Sequence, residues 1–190
     1  MLALIIAAAA AITVFGYLGD KDEKVNTVKI GEDKASITET FSEPDKQTVS
    51  DTFTKSVQVK NTGSADCFVR VFLELSDSRL ADGKVKLSAD GTSFVTWEQF
   101  KASPPEDWEF VSCEDNALDG NFYYKKTVAP GSSTPPLISK IKTAYDSVYD
   151  ISDFEIIVYS ETVQTVETDT SGTVYAASDW KTAWSSFLKV

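Results

Sequence analysis

Histidine is absent from the 190 residues, and this excludes more chemistry than any other feature of the chain. Without it there is no Ser-His-Asp or Cys-His mechanism and no His-ligated metal site. Two cysteines are too few for a four-cysteine zinc site, and the one methionine is residue 1. Basic residues are also scarce: 18 Lys+Arg face 29 Asp+Glu, giving a net charge of -11. That balance argues against nucleic acid or anionic lipid as the main partner, because phosphate binding needs clustered Lys and Arg. No glycine-rich phosphate loop occurs, and no Gly-x-Ser-x-Gly elbow.

Leucine is scarce too, at 10 residues, whereas valine reaches 18 and threonine 19. β-branched side chains suit a pleated, half-buried surface, so the profile predicts β-structure. The hydrophobic share of 42% and the aromatic share of 12% are too high for a disordered chain. The length fits one domain with a real core.

The first 19 residues carry no charged side chain, and Leu2 to Phe15 is apolar except for Thr13. This length matches the apolar region of a secretory signal peptide and is short for a membrane span. Cleavage is expected after Gly16; the competing reading is a retained membrane anchor. The expected organisation is a signal peptide over 1–16, an N-terminal extension over 17–34 and a β-sandwich domain over 35–190. An exported chain meets oxidising conditions, so Cys67 and Cys113 are either one disulfide or two separate buried thiols. Neither has a histidine base. No lipid-attachment cysteine follows the leader, and there is no Leu-Pro-x-Thr-Gly sorting motif.

The remainder reads as strands. Ala35, Ile37 and Phe41 share one parity, but Glu39 falls on it too, which suggests an edge position or a strand end. Phe53 to Lys60 is a second strand, with Phe53, Lys55, Val57 and Val59 on one face. Cys67 to Leu75 is the strongest: Cys67, Val69, Val71, Leu73 and Leu75 on one side, Phe68, Arg70, Phe72 and Glu74 on the other. A hairpin is expected around Val85 and Leu87, and further strands over Trp108 to Cys113, Phe122 to Val128 and Phe154 to Val166. Gly, Pro and Asn punctuate the turns between them. Near the end, Ser178 or Asp179 can cap a helix from Trp180, with Trp180, Trp184, Phe187 and Leu188 on one stripe. The predicted fold class is all-β: a jelly-roll-like β-sandwich with a short C-terminal helix.

Candidate chemistry is thin. A calcium loop starting at Asp115 would put Ala117 third and Lys126 twelfth, where a carboxylate is required. Asp146, Asp150 and Asp153 read as loop acids. No catalytic, cofactor-binding or metal-binding residue is assigned, and no cofactor is expected.

Four phrases, in order, resemble the TasA/camelysin family of exported Gram-positive proteins. They are the apolar leader into Tyr17; Val57-Gln58-Val59-Lys60-Asn61-Thr62-Gly63-Ser64 with Phe68-Val69-Arg70-Val71; Tyr123-Tyr124-Lys125-Lys126-Thr127-Val128-Ala129-Pro130-Gly131 with Thr134 and Leu137; and Phe154 to Val158 into Glu161 to Thr165, before the Trp-bearing helix. The resemblance implies a jelly roll, export through a dedicated signal peptidase, and assembly into extracellular biofilm-matrix fibres. Camelysin-type metallopeptidase activity does not carry over, because the zinc ligands of such a peptidase are histidines. Assembly would proceed by strand addition, with Val25, Val28 and Ile30 of the extension as donor-strand anchors; the competing reading is that the extension completes its own sheet or stays disordered. The parity of Val25 and Ile30 differs, which requires a bulge or a shifted register. Partners would be further copies of the chain and other matrix or cell-wall proteins, with the membrane met only before cleavage. Two other readings stay open: a monomeric cell-surface glycan or adhesion module using Trp97, Trp108 and the tyrosines, and a hydrolase built on two carboxylates.

Overall fold

Residues that alternate between apolar and polar form strands when one face can be covered by a second sheet. The computed structural model describes residues 34–42, 48–76, 83–112, 120–150, 154–168 and 174–187. Among them the strands are β1 (Ala35–Phe41), β2 (Thr52–Asn61), β3 (Cys67–Leu75), β4 (Val85–Ser88) and β5 (Val95–Thr96). Then follow α1 (Trp97–Ala102), β6 (Trp108–Val111), β7 (Asn121–Tyr124), β8 (Ile138–Thr143), β9 (Ile156–Gln164), β10 (Val166–Thr168), β11 (Val174–Ala176) and α2 (Trp180–Phe187). The expected cleavage site at Gly16, the anchors Val25, Val28 and Ile30, and Cys113 lie outside the described residues.

Two antiparallel sheets face each other as an all-β sandwich. One has the order β1-β2-β8-β4-β5 and the other β6-β7-β3-β9, with β10-β11 a separate small pair. The core lies between them. From the five-stranded sheet come Phe53, Val57, Val59, Val85, Leu87, Ile138 and Ile141. From the four-stranded sheet come the apolar side of β3 together with Trp108, Phe122 and Tyr124. Each buried Val, Leu or Phe contributes about 1.5–3 kcal/mol of apolar transfer. Cys67 is part of this core; its Sγ lies 3.8 Å from the Val128 carbonyl oxygen.

β8 escapes the period-two pattern because its apolar residues, Ile138 and Ile141, are three apart. The reason is a register shift of one residue against β2. Thr54 pairs with Lys140 but Val57 with Ile138, so Lys55 and Ser56 stand opposite Ser139 alone. This bulge lets both isoleucines reach the core. Helix α1 is a second element not anticipated, although its signal is local. The Gln99 N–H donates to Thr96 Oγ1, while Gln99 Oε1 accepts from the Thr96 N–H, a reciprocal cap.

Several boundaries differ from expectation; β6, for one, stops at Val111 rather than Cys113 and β9 starts at Ile156 rather than Phe154. β7 stops at Tyr124, and Val128 instead makes an isolated bridge to Cys67. β9 stops at Gln164, since Thr165 turns away to donate to the Asp66 carbonyl, and Val166 begins β10. The segment at Val85 and Leu87 is not a hairpin of its own but β4, laid between β8 and β5. The helix at Trp180 forms as expected, with the Asp179 carboxylate accepting the Thr182 N–H at 2.8 Å.

Candidate functional site

β1 pairs with β2 alone among the described residues, in unbroken register from Ala35↔Asn61 to Phe41↔Lys55. It is thus an edge strand of seven residues, and it follows directly on the 17–34 extension. β9, at the end of the other sheet, lies close to it, so both sheets terminate on the same side of the sandwich. The opposite side ends in the two-residue β5 and the four-residue β6. The two longer edges, β1 with seven residues and β9 with nine, therefore lie together on one side. An uncovered strand edge presents backbone N–H and C=O groups to another chain.

The edge also carries a charge pointing inward. Glu39 shares the parity of Ala35 and Ile37, and it forms an ion pair with Lys55. The Lys55 side chain is 11% exposed and that of Glu39 37%. Inward charges on edge strands discourage indiscriminate pairing while leaving the strand usable by a matched partner.

Behind the edge, Asn61 closes β2 and is fully buried. Its Nδ2 donates to the carbonyls of Ala65 and Val128, both at 2.8 Å, and its Oδ1 accepts the Gly63 N–H at 2.9 Å. Its backbone binds the same loop, with Asn61 N–H on Ser132 O and Gly131 N–H on Asn61 O. Thr134 repeats the device one step along, accepting the Val59 N–H through Oγ1 and donating its own N–H to Val59 O. Gly131 sits at φ +78°, where a side chain would strain the turn. The phrase ending Asn61-Thr62-Gly63-Ser64 and the phrase ending Ala129-Pro130-Gly131 are therefore one spatial unit. The late phrase joins it, since β9 pairs with β3 from Cys67↔Gln164 to Leu75↔Ile156.

A second cluster covers one end of the outer face of the four-stranded sheet. Phe68, Tyr123 and Val163 of the sheet pack against Trp180, Ala183 and Trp184 of α2. Arg70 sits at its centre, 9% exposed. Its Nε and Nη2 bind Glu161 Oε2 at 2.6 and 2.5 Å, and Nη1 donates to Tyr123 Oη at 3.1 Å. Its guanidinium lies 4.4 Å from the centre of the Trp184 ring. Tyr123 stacks on Trp180 at 4.8 Å. A desolvated cation–π contact of this kind contributes about 2 kcal/mol. Trp180 and Trp184 are thus buried in a helix-to-sheet contact and offer no sugar-stacking platform.

The aromatics expected for a glycan surface are mostly inside. Trp108, Tyr123, Tyr124 and Tyr145 are buried, whereas Tyr149 is 95% and Tyr159 64% exposed. Of the carboxylates, Asp90 is held well below its usual range by the N–H groups of Ser93 and Thr92. Asp179 is lowered by the Thr182 N–H and Asp51 by the Thr48 hydroxyl, each a turn or cap contact. Among the described residues no three His, Cys, Asp or Glu side chains group as metal ligands. Nor is any helix among them long and apolar enough to cross a membrane. No protein-family model matches the chain, and neither does a curated protein or a solved structure.

Proposed function

We propose that the chain is a secreted structural protein, a subunit of extracellular matrix fibres assembled by strand addition. The observation that carries this reading is β1, a seven-residue edge strand placed directly after the extension. In the proposed assembly, residues of the 17–34 extension of one copy pair along the β1 edge of the next. Val25, Val28 and Ile30 anchor the added strand. Because donor and acceptor are different surfaces, the contact is heterologous and propagates without closing.

The four-phrase resemblance to the TasA/camelysin family supports the same reading, and it brings a jelly-roll winding and a cleavable leader ending at Gly16. The chain crosses between sheets at β2–β3, β3–β4, β5–β6, β7–β8 and β8–β9, in keeping with such a winding. Peptidase activity is not proposed, since the chain has no histidine. The test is deletion of residues 17–34, followed by negative-stain microscopy and size-exclusion chromatography. The parent forms filaments and the deleted form stays monomeric; filaments of normal yield from the deleted form would sink the idea. The alternative, a monomeric surface adhesion module, draws on Tyr149 and Tyr159, and a parent that is monomeric at every concentration would favour it.

A further inference from the structure

The outer face of the five-stranded sheet has a composition unlike the rest of this acidic chain. Its outward strand positions include Thr38, Thr52, Thr54, Ser56 and Gln58, whose registers place them opposite one another or opposite lysines. Lys86 stands directly opposite Lys142, and Lys140 lies two residues along, between Thr54 and Ser88. None of the outward positions on β1, β2, β4, β5 or β8 is a carboxylate. Like charges directly opposite each other in a ladder are destabilising. Among the described residues neither Lys86, Lys140 nor Lys142 has an ion-pair partner, although Lys142 Nζ lies 6.0 Å from the centre of the Phe94 ring, and most other described basic residues do have one: Lys55, Arg70, Lys84, Lys101, Lys126 and Lys181. Asp90, in the adjoining turn beside Lys140, is already engaged by Ser88 Oγ and the N–H groups of Thr92 and Ser93.

The opposite side of the sandwich offers the complement. Beyond the end covered by α2, the outer face of the four-stranded sheet exposes Tyr159, which is paired with Phe72 at 6.3 Å between ring centres. Glu74 and Glu155 are exposed beside them and one ladder step apart, since Glu74 pairs with Ile157 and the Ser76 N–H reaches Glu155 O. An aromatic centre rimmed by carboxylates suits lysines, whose alkyl stems pack on rings while the ammonium groups meet the acids.

We infer that the lysine face of one copy docks on the Tyr159–Glu74–Glu155 face of a second copy. The two patches lie on opposite sides of one sandwich, so the contact is heterologous and stacks copies face to face. It runs in a different direction from strand addition and does not depend on it. Five strands at ~4.8 Å spacing and a ten-residue β2 give a face on the order of 600 Å². That is below the ~800 Å² per partner of a standard stable complex, so each contact is weak and gains strength only when repeated along an assembly.

The test is a charge swap in the purified protein, read by sedimentation velocity and light scattering at low and high ionic strength. The parent associates at low ionic strength and disperses as salt rises. Lys86→Glu with Lys140→Glu and Lys142→Glu weakens association by at least about tenfold, and so does Glu74→Lys with Glu155→Lys. Combining both sets restores it. A parent that does not associate at low ionic strength overturns the inference. So does a combined variant that stays dispersed, which would assign the lysines to a separate polyanion, checked by loss of polyphosphate binding in the lysine variant. Microscopy of the same samples keeps the two ideas apart: strand addition leaves single filaments in the lysine variant, and stacking adds lateral bundles in the parent and the combined variant.

Discussion

Glu39 and Lys55 are paired across the first two strands, and each occupies the parity that its strand otherwise gives to the core. Lys55 also lies in the bulge opposite Ser139, where the β2–β8 ladder slips. One local irregularity thus accommodates a long charged side chain inside the sheet and aims it at the edge strand.

Removing one partner should cost more than removing both. Glu39→Ala takes the carboxylate away from a largely buried ammonium and is expected to destabilise by about 1–2 kcal/mol. Glu39→Val with Lys55→Met replaces the pair by apolar atoms and should return most of that loss. Urea unfolding midpoints measure both. The double variant should also aggregate more readily, because its edge strand has lost its inward charge.

Asn61→Ala removes donors from the buried Val128 carbonyl and the half-buried Ala65 carbonyl, and an acceptor from the Gly63 N–H. A loss of about 3 kcal/mol is expected, large for an exchange between small side chains. Asn61→Asp is nearly isosteric but turns an oxygen toward the carbonyls of Ala65 and Val128, so it should be no milder. Thermal unfolding of the two variants against the parent checks the ordering.

Helix α2 is held by an arginine whose planar fork serves Glu161 and Tyr123 and stacks on Trp184 at once. Arg70→Lys keeps the charge and loses the fork, for an expected cost of about 1–2 kcal/mol. Trp184→Ala empties a fully buried site and should cost about 3–5 kcal/mol. In both, hydrogen exchange of the α2 amides should accelerate before that of β3, showing the helix detaching from an intact sandwich.

Asp90 and Asp179 have folded pKa values below the ordinary carboxylate range because backbone N–H groups bind their charged forms. A depressed folded pKa gives stability that is fully present above the unfolded value, near ~4, and is lost as pH falls through the folded one. The melting temperature should therefore hold from neutrality down to about pH 5 and decline below about pH 4. Asp90→Asn and Asp179→Asn keep an acceptor but no titrating charge, so each should flatten that decline. Calorimetric scans across this pH range provide the comparison.

The strands that face a second sheet over their whole length were readable from the chain. β3 begins and ends where its alternation does, and β2 differs by one residue at each end. What alternation misses is set by partners distant in sequence. β8 was invisible because its isoleucine spacing only makes sense beside the slip in β2. β7 is shorter than the expected strand because its ladder with β6 ends at Trp108 opposite Tyr124, and Val128 bridges Cys67 instead. The cap at Thr96 and Gln99 is local, a threonine followed three residues on by a glutamine, and so is legible in the chain itself. Glu39 did indicate an edge, whereas its pairing with Lys55 and the lysine face of the five-stranded sheet required the register to be known.

The order of the strands along the chain also governs when the molecule can close. β3 holds the most continuous apolar face, yet its neighbours arrive late: β7 at Asn121–Tyr124 and β9 at Ile156–Gln164. A polypeptide emerging N-terminus first must carry β3 without a ladder partner until Asn121 is made, and cannot complete that sheet before β9. The loop then closed is long, and long-range antiparallel pairing is slow to form. Closure is thereby postponed to the last stretch of synthesis, and α2, ending at Phe187, seals the outer cluster only after that.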